Sequence, residues 1–198
     1  MSDNRFVHCK EVWARTAEGI IVEDGLRGPL IDKSSIYQIG GQPGHGPEEL
    51  IFVMKSVIAK HLKNKKLLIL KLYEISKIFD KETIEDAVLT CKKRGADPKA
   101  VQLWYKLNQH TQIRVKTGAG TSEYSKVGAV LGQGTLGGAL ISQAVLDEGV
   151  MAQFPPGGPL QVDYGTVPLA PVMFQDDLAD CSDSLDNARE SNRRVDFF

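Results

Sequence analysis

The sequence predicts an α+β fold, and three observations carry that prediction. Leu50, Ile51, Val53, Met54, Val57, Ile58 and Leu62 recur close to every 3.6 residues, the period of an amphipathic helix. Leu67-Leu68-Ile69-Leu70-Lys71-Leu72-Tyr73 is short and almost continuously apolar, the pattern of a buried strand. Beyond it, helical and alternating patterns mix without the regular βαβ order of a parallel sheet.

The elements follow in chain order. The stretch 6–19 holds Phe6, Val7, Val12, Trp13 and Ala17 and is read as helical. Residues 24–35, with Gly25, Gly28 and Pro29, read as connecting chain. Residues 40–47, GGQPGHGP, form a tight loop. Glu48 and Glu49 after it suit a helix's first turn, and the basic residues from Lys60 to Lys66 suit its C-terminus. After the apolar run, Asp80 is placed to cap a helix starting near Lys81, with Thr83 in its first turn. Ile84, Ala87, Val88 and Cys91 give that helix its apolar face, and Gly95 ends it. Asp97-Pro98 is an N-cap followed by proline at the first helical position, opening a helix that carries Val101, Leu103, Trp104 and Leu107. Residues 111–117 alternate as a half-buried strand. Gly118-Ala119-Gly120 turns the chain back, and a return strand near 123–127 completes a hairpin. Gly132-Gln133-Gly134-Thr135 leads into a further helix with Leu140, Ile141, Ala144, Val145 and Leu146. Residues 155–159 are loop, 168–174 are apolar and extended, and 185–195 form a polar helix.

The chain has 198 residues, 42% hydrophobic and 25% charged, enough for one domain or one domain plus a subdomain. Its net charge of −1 hides a split: residues 55–116 hold 15 Lys and Arg against 6 Asp and Glu, residues 117–198 hold 4 against 11. A basic middle attracts phosphates and an acidic end attracts divalent cations; a solvated helix face and an acidic tail account for the same counts. Cys9, Cys91 and Cys181 lack metal or disulfide spacing, which argues for a reducing compartment. His8, His45, His61 and His110 have no ligand spacing and are read as surface or loop residues. No apolar run reaches the roughly 18 residues of a membrane span, and the first residues lack an apolar signal region. The expected location is therefore intracellular, nuclear or cytoplasmic.

Three motifs bear on chemistry. In Val172-Met173-Phe174-Gln175-Asp176-Asp177-Leu178 two adjacent acids interrupt an apolar strand; they fit either a metal-binding pair at a cleft or an exposed acidic turn. Glu74 directly follows the apolar run, with Phe79 five residues on, so it stands at a sheet edge or in the lead-in to a capped helix. Gly132-Gln133-Gly134-Thr135-Leu136-Gly137 matches G-x-G-x-x-G, but no good strand precedes it and no acid stands some 20 residues beyond, which argues against a dinucleotide site.

Together, in this order and spacing, the motifs resemble motifs A, B and C of reverse transcriptases, most closely those of non-LTR retroelements: 73–80, 132–142 and 174–177. The loop 38–45 with its helix resembles the preceding fingers segment, and the hairpin 111–127 the one leading into motif B. The resemblance implies a palm-like (ferredoxin-like) antiparallel sheet with helices on one face, plus partial fingers. Residues 1–66 would be fingers-like and 67–198 palm-like. Glu74, Asp176 and Asp177 would hold two Mg²⁺ ions, with Mn²⁺ as a substitute, and the carbonyl of Ile75 would add a ligand. Phe79 would be the steric gate, Gln133 and Gly134 would contact the incoming nucleotide and template, and Lys63, Lys65 and Lys66 would track phosphates. The implied partners are an RNA or DNA template-primer and dNTP. The family has Asp where this chain has Glu74, and the thumb is expected to be absent beyond Phe198, to be supplied by another segment or protein. The implied activity is RNA-directed DNA synthesis; the alternative is a polymerase-derived module that binds nucleic acid or protein without chemistry.

Overall fold

The computed structural model describes residues 11–75, 81–109, 112–126, 135–154, 162–164, 167–169, 171–175 and 177–195. The chain divides into two compact units, neither continuous in sequence: Met1–Lys33 with Lys77–Val145, and Ser34–Ser76 with Leu146–Phe198. Helix and antiparallel sheet are mixed, as an α+β fold requires. Among the described residues no helix is long and apolar enough to cross a membrane.

The first unit is built on helices. α1 (Val12–Ile21) runs into a π-helical turn (Val22–Leu26) and then α2 (Arg27–Asp32). Val12 and Trp13 on α1 are exposed. The expectation of connecting chain at 24–35 is corrected. Pro29 is the third residue of α2, where its missing N–H has no intrahelical partner to lose. Gly25 sits where a Cβ would overlap that of Ala100, so it marks a close approach rather than a loop. Val22, Leu26 and Leu30, four apart, place one helical stripe in the core.

Helix α4 (Ile84–Lys93) adds Ile84, Ala87 and Cys91 to that core. Its N-cap is Thr83, whose hydroxyl accepts from Asp86 N, rather than Asp80, which lies outside the described residues. It closes as expected at Gly95: Gly95 N donates to Lys92 O and Ala96 N to Cys91 O. Buried Arg94 donates to Leu30 O at 2.8 Å and ties the end of α4 to α2. Helix α5 (Pro98–Asn108) starts on Asp97, whose carboxylate accepts from Lys99 N. Val101 and Trp104 are buried, while Leu103 faces solvent. The hairpin forms from two strand pairs, β2 (Gln112–Ile113) with β5 (Ser125–Lys126) and β3 (Lys116–Thr117) with β4 (Gly120–Thr121). It is not half-buried, since residues 114–126 are all exposed.

Helix α6 (Gly138–Gln153) contributes residues 138–145 to the first unit and 146–153 to the second. The second unit is organised by a three-stranded antiparallel sheet in the order β1-β9-β8, from β1 (Ile69–Glu74), β8 (Val172–Phe174) and β9 (Asp177–Ser182). A separate two-stranded pair joins β6 (Val162–Tyr164) to β7 (Val167–Leu169). Helix α3 (Pro47–Lys63) and helix α7 (Leu185–Val195) complete the unit. Met54 and Val57 of α3 pack with Val172, Ala179 and Cys181 on one sheet face. Val150 and Phe154 of α6 and Val195 of α7 pack with Met173, Leu178 and Tyr73 on the other. Helices thus cover both faces, correcting the expectation of one. His61 is also corrected: it is buried, with Nδ1 2.9 Å from Val57 O.

Strand β1 forms where expected but is an edge strand. Ile69, Lys71 and Tyr73 are half-buried, while Leu70 and Leu72 are exposed, the latter by 75%. Lys71 is cross-strand partner to Asp180 in β9, and its Nζ lies 2.6 Å from the buried Asp180 Oδ2. Lys71 also donates to Ala188 O at 3.0 Å, and Ser191 Oγ donates to the same Asp180 oxygen, so α7 is held through the pair. Removing one partner leaves a buried charge, which typically costs about 3–5 kcal/mol. Asp180→Ala should lose stability of this order in urea titration, and Lys71→Met with Asp180→Leu should recover much of it.

In the first unit Glu82 is a buried carboxyl with no hydrogen-bond partner of good geometry. Burial pushes its pKa from 4.5 up to about 7; the Ser142 hydroxyl opposes the shift and Asp86 adds to it. The folded state therefore holds this proton more tightly than the unfolded chain, and stability falls as pH rises from about 4.5 to about 7. Glu82→Gln should flatten that slope in urea titrations across the window and leave the variant more stable above it by on the order of 3 kcal/mol.

Candidate functional site

Glu74 is the last residue of β1 and Asp177 the first of β9. Antiparallel pairing sets them directly opposite each other, and Asp177 is in turn opposite Phe174 of β8. Opposed residues of an antiparallel pair share a face with Cβ atoms about 5 Å apart. Both carboxylates therefore stand together at one exposed end of the sheet. Two carboxylates are hard oxygen donors of the kind Mg²⁺ takes while keeping several waters, so the donor chemistry fits that ion. Among the described residues no group of three His, Cys, Asp or Glu converges as a metal site. Asp176 lies outside the described residues.

The β8–β9 turn is braced by a segment with no metal-ligating residue. Residues 37–39 run beside β8: Ile39 N donates to Met173 O at 2.9 Å and Met173 N to Tyr37 O at 2.7 Å. Gln38 is buried, and its Oε1 accepts from Gly40 N at 3.1 Å and from Gln175 N at 3.3 Å. Gln42 Nε2 closes the loop onto Gln38 O at 2.7 Å. Gln175 itself has φ +59°, a left-handed conformation costing a residue with a Cβ roughly 1–2 kcal/mol. Gly40 lies so close beneath it that a Cβ there would overlap Gln175 N. Sequence reasoning placed this stretch in a loop ahead of a helix and missed its contact with the turn; the one local signal was the Gly40-Gly41 pair.

The remaining expected residues scatter. Ile75 is half-buried directly after Glu74. Lys63 ends α3, and Lys65 and Lys66 follow it, all exposed. Phe79, Gln133 and Gly134 lie outside the described residues. Buried Cys181 stands beside Asp180 at the far end of β9, where burial raises its thiol to about 11 and keeps it protonated at neutral pH.

Comparison with known proteins gives a fold. No protein-family model matches the sequence, and no curated protein does so at a significant level. A solved structure of apo telomerase from Candida tropicalis, truncated from its C-terminal domain, shares the fold with TM-score 0.56 at 12% identity, over 95% of this chain and 41% of that one. A second apo telomerase structure from the same organism gives TM-score 0.54 at 10% identity, over 93% of this chain and 32% of that one. The chain thus spans less than half the length of either. The likeness is one of fold.

Gly40→Ala tests the bracing of the turn. It should cost about 1–3 kcal/mol by forced overlap and shift amide signals of Gln175 and Asp177 in NMR spectra, while those of the first unit stay in place.

Proposed function

We propose that the chain is the fingers-and-palm part of a reverse-transcriptase-like polymerase, of the non-LTR retroelement kind, and that Glu74, Asp176 and Asp177 form its carboxylate site. The observation that carries the reading is the register of Glu74 with Asp177 at the open end of an antiparallel sheet. The telomerase fold supports it, because telomerase is a reverse-transcriptase-related polymerase. In this reading the carboxylates position two Mg²⁺ ions, which when bound supply the Lewis acidity that activates a primer 3′-hydroxyl and stabilises the leaving pyrophosphate. The Ile75 carbonyl adds a ligand, and Phe79 packs under the sugar and rejects a 2′-hydroxyl. Gln133 and Gly134 contact nucleotide and template, while Lys63, Lys65 and Lys66 hold backbone phosphates.

One observation favours a second reading. Glu74 stands where the family has Asp, and its extra methylene displaces the carboxylate by about 1.5 Å; a misplacement of about 1 Å costs on the order of 100-fold in rate. A module that retains the fold and binds nucleic acid without chemistry accommodates this change.

Mn²⁺ binding followed by electron paramagnetic resonance, and primer extension on an RNA template with the thumb segment supplied, separate the two. The polymerase reading expects Mn²⁺ binding that drops at least tenfold in Glu74→Gln and Asp177→Asn. It also expects extension that rises by on the order of 10- to 100-fold in Glu74→Asp. Loss of all extension in every form, with nucleic-acid binding indifferent to Asp176→Ala, would leave the binding module standing.

A further inference from the structure

The hairpin in the first unit is unusual in that neither face of its outer part is packed against anything. Its register shows why one face has a distinct composition. Gln112 pairs with Lys126 and Ile113 with Ser125, which sets Arg114 opposite Tyr124. Further out, Lys116 pairs with Thr121 and Thr117 with Gly120. Between the two paired segments the outgoing strand has Arg114 and Val115, and the return strand has Ser122, Glu123 and Tyr124. The return strand therefore holds one extra residue, a β-bulge at 122–123. Ser122 N donates to Val115 O at 2.9 Å and Val115 N to Ser122 Oγ at 2.9 Å, which fixes the bulge.

Side chains alternate along each strand, so Gln112, Arg114 and Lys116 share a face with Tyr124 and Lys126. That face carries three cations and one aromatic ring, and none of its five residues is acidic. All five are exposed, Tyr124 by 61%. The Arg114 guanidinium lies over the Tyr124 ring, 5.1 Å from its centroid. A cation–π contact of this kind stiffens both side chains and joins two planar groups into one exposed surface.

We propose that this face binds single-stranded nucleic acid, with the Arg114–Tyr124 pair as a stacking platform for an unpaired base and Lys116 and Lys126 on the flanking phosphates. Base stacking on Tyr, Trp or Arg planes needs an unpaired base, which favours single strands over duplex. An acidic peptide would satisfy the three cations but leave the ring without a role. The inference stands apart from the carboxylate site, because it concerns binding without divalent metal.

The test is fluorescence anisotropy of the full chain with labelled oligo(U), oligo(dT), a duplex of equal length and oligo-glutamate, in EDTA across a KCl series. Both single strands should bind, more tightly than the duplex or the peptide. Tyr124→Ala should weaken binding at least about fivefold, the low end for loss of one stacked base, and Tyr124→Phe should restore it. Combined Arg114→Ala, Lys116→Ala and Lys126→Ala should weaken binding and reduce the slope of log affinity against log salt by about 2. Thermal melting should stay unchanged, since every altered side chain is exposed. The proposal is overturned if the wild type binds no single strand, if duplex or oligo-glutamate binds equally well, or if Tyr124→Ala and the triple variant stay within twofold of wild type.

Discussion

Lys71 and Asp180 face each other across β1 and β9, and much of the second unit depends on that encounter. A carboxylate taken almost wholly out of water is tolerable only beside a cation and well-placed donors. Asp180 has both, in the Lys71 ammonium and the Ser191 hydroxyl, and the latter two groups come from different elements. The pair also fixes register. Sliding β1 by one residue would move Lys71 to the opposite face, and sliding it by two would strand Asp180 without its cation. Only the observed register keeps Lys71 on Asp180, and that same register sets Glu74 against Asp177. The open end of the sheet thus inherits its geometry from an ion pair three residues away on the opposite face.

The brace on the other side of the sheet works differently. Gln38 is neutral, and its amide shares itself among Gly40, Gln175 and the Met173 sulfur. It holds a turn whose own residue, Gln175, is in a left-handed conformation. Strain of this kind persists only where the surroundings over-determine the backbone. Here the surroundings are the 37–42 segment, so the turn between β8 and β9 is fixed by chain more than 130 residues distant in sequence.

What the sequence disclosed divides along the range of the interactions involved. Helix ends governed by neighbours a few positions apart were legible: Asp97-Pro98, the closure at Gly95 and the full extent of α7. The exceptions were local as well. Gly25 and Pro29 read as loop signals because proline and glycine punctuate chains, yet one occupies a first helical turn and the other a close helix contact. Thr83 capped where Asp80 was expected because both are capping residues and only tertiary placement separates them. Strand β1 was found from its apolar run, but its burial was overestimated, since a run of leucines cannot say whether a neighbouring strand lies on one side or on both. For the candidate site, an acid ending an apolar run and a pair of acids after another were visible. Their opposition across two strands, and the role of Gln38 and Gly40, depend on contacts between distant segments that no local pattern encodes.

The π turn at Val22–Leu26 has a bearing on how the first unit tolerates change in length. Such a turn accommodates one residue more than an α turn, so the stretch behaves as a helix with a single insertion absorbed in place. Deleting any one residue there would restore a regular helix and swing the whole of α1 by about 100° around the axis, the angle of one helical residue. Val22, Leu26 and Leu30 would then no longer line up, and Gly25 would leave its seat against Ala100. Point substitutions on the solvent side of the turn are cheap by comparison. The segment is thus permissive in identity and strict in count, the signature of a reading frame of side chains rather than of any one of them.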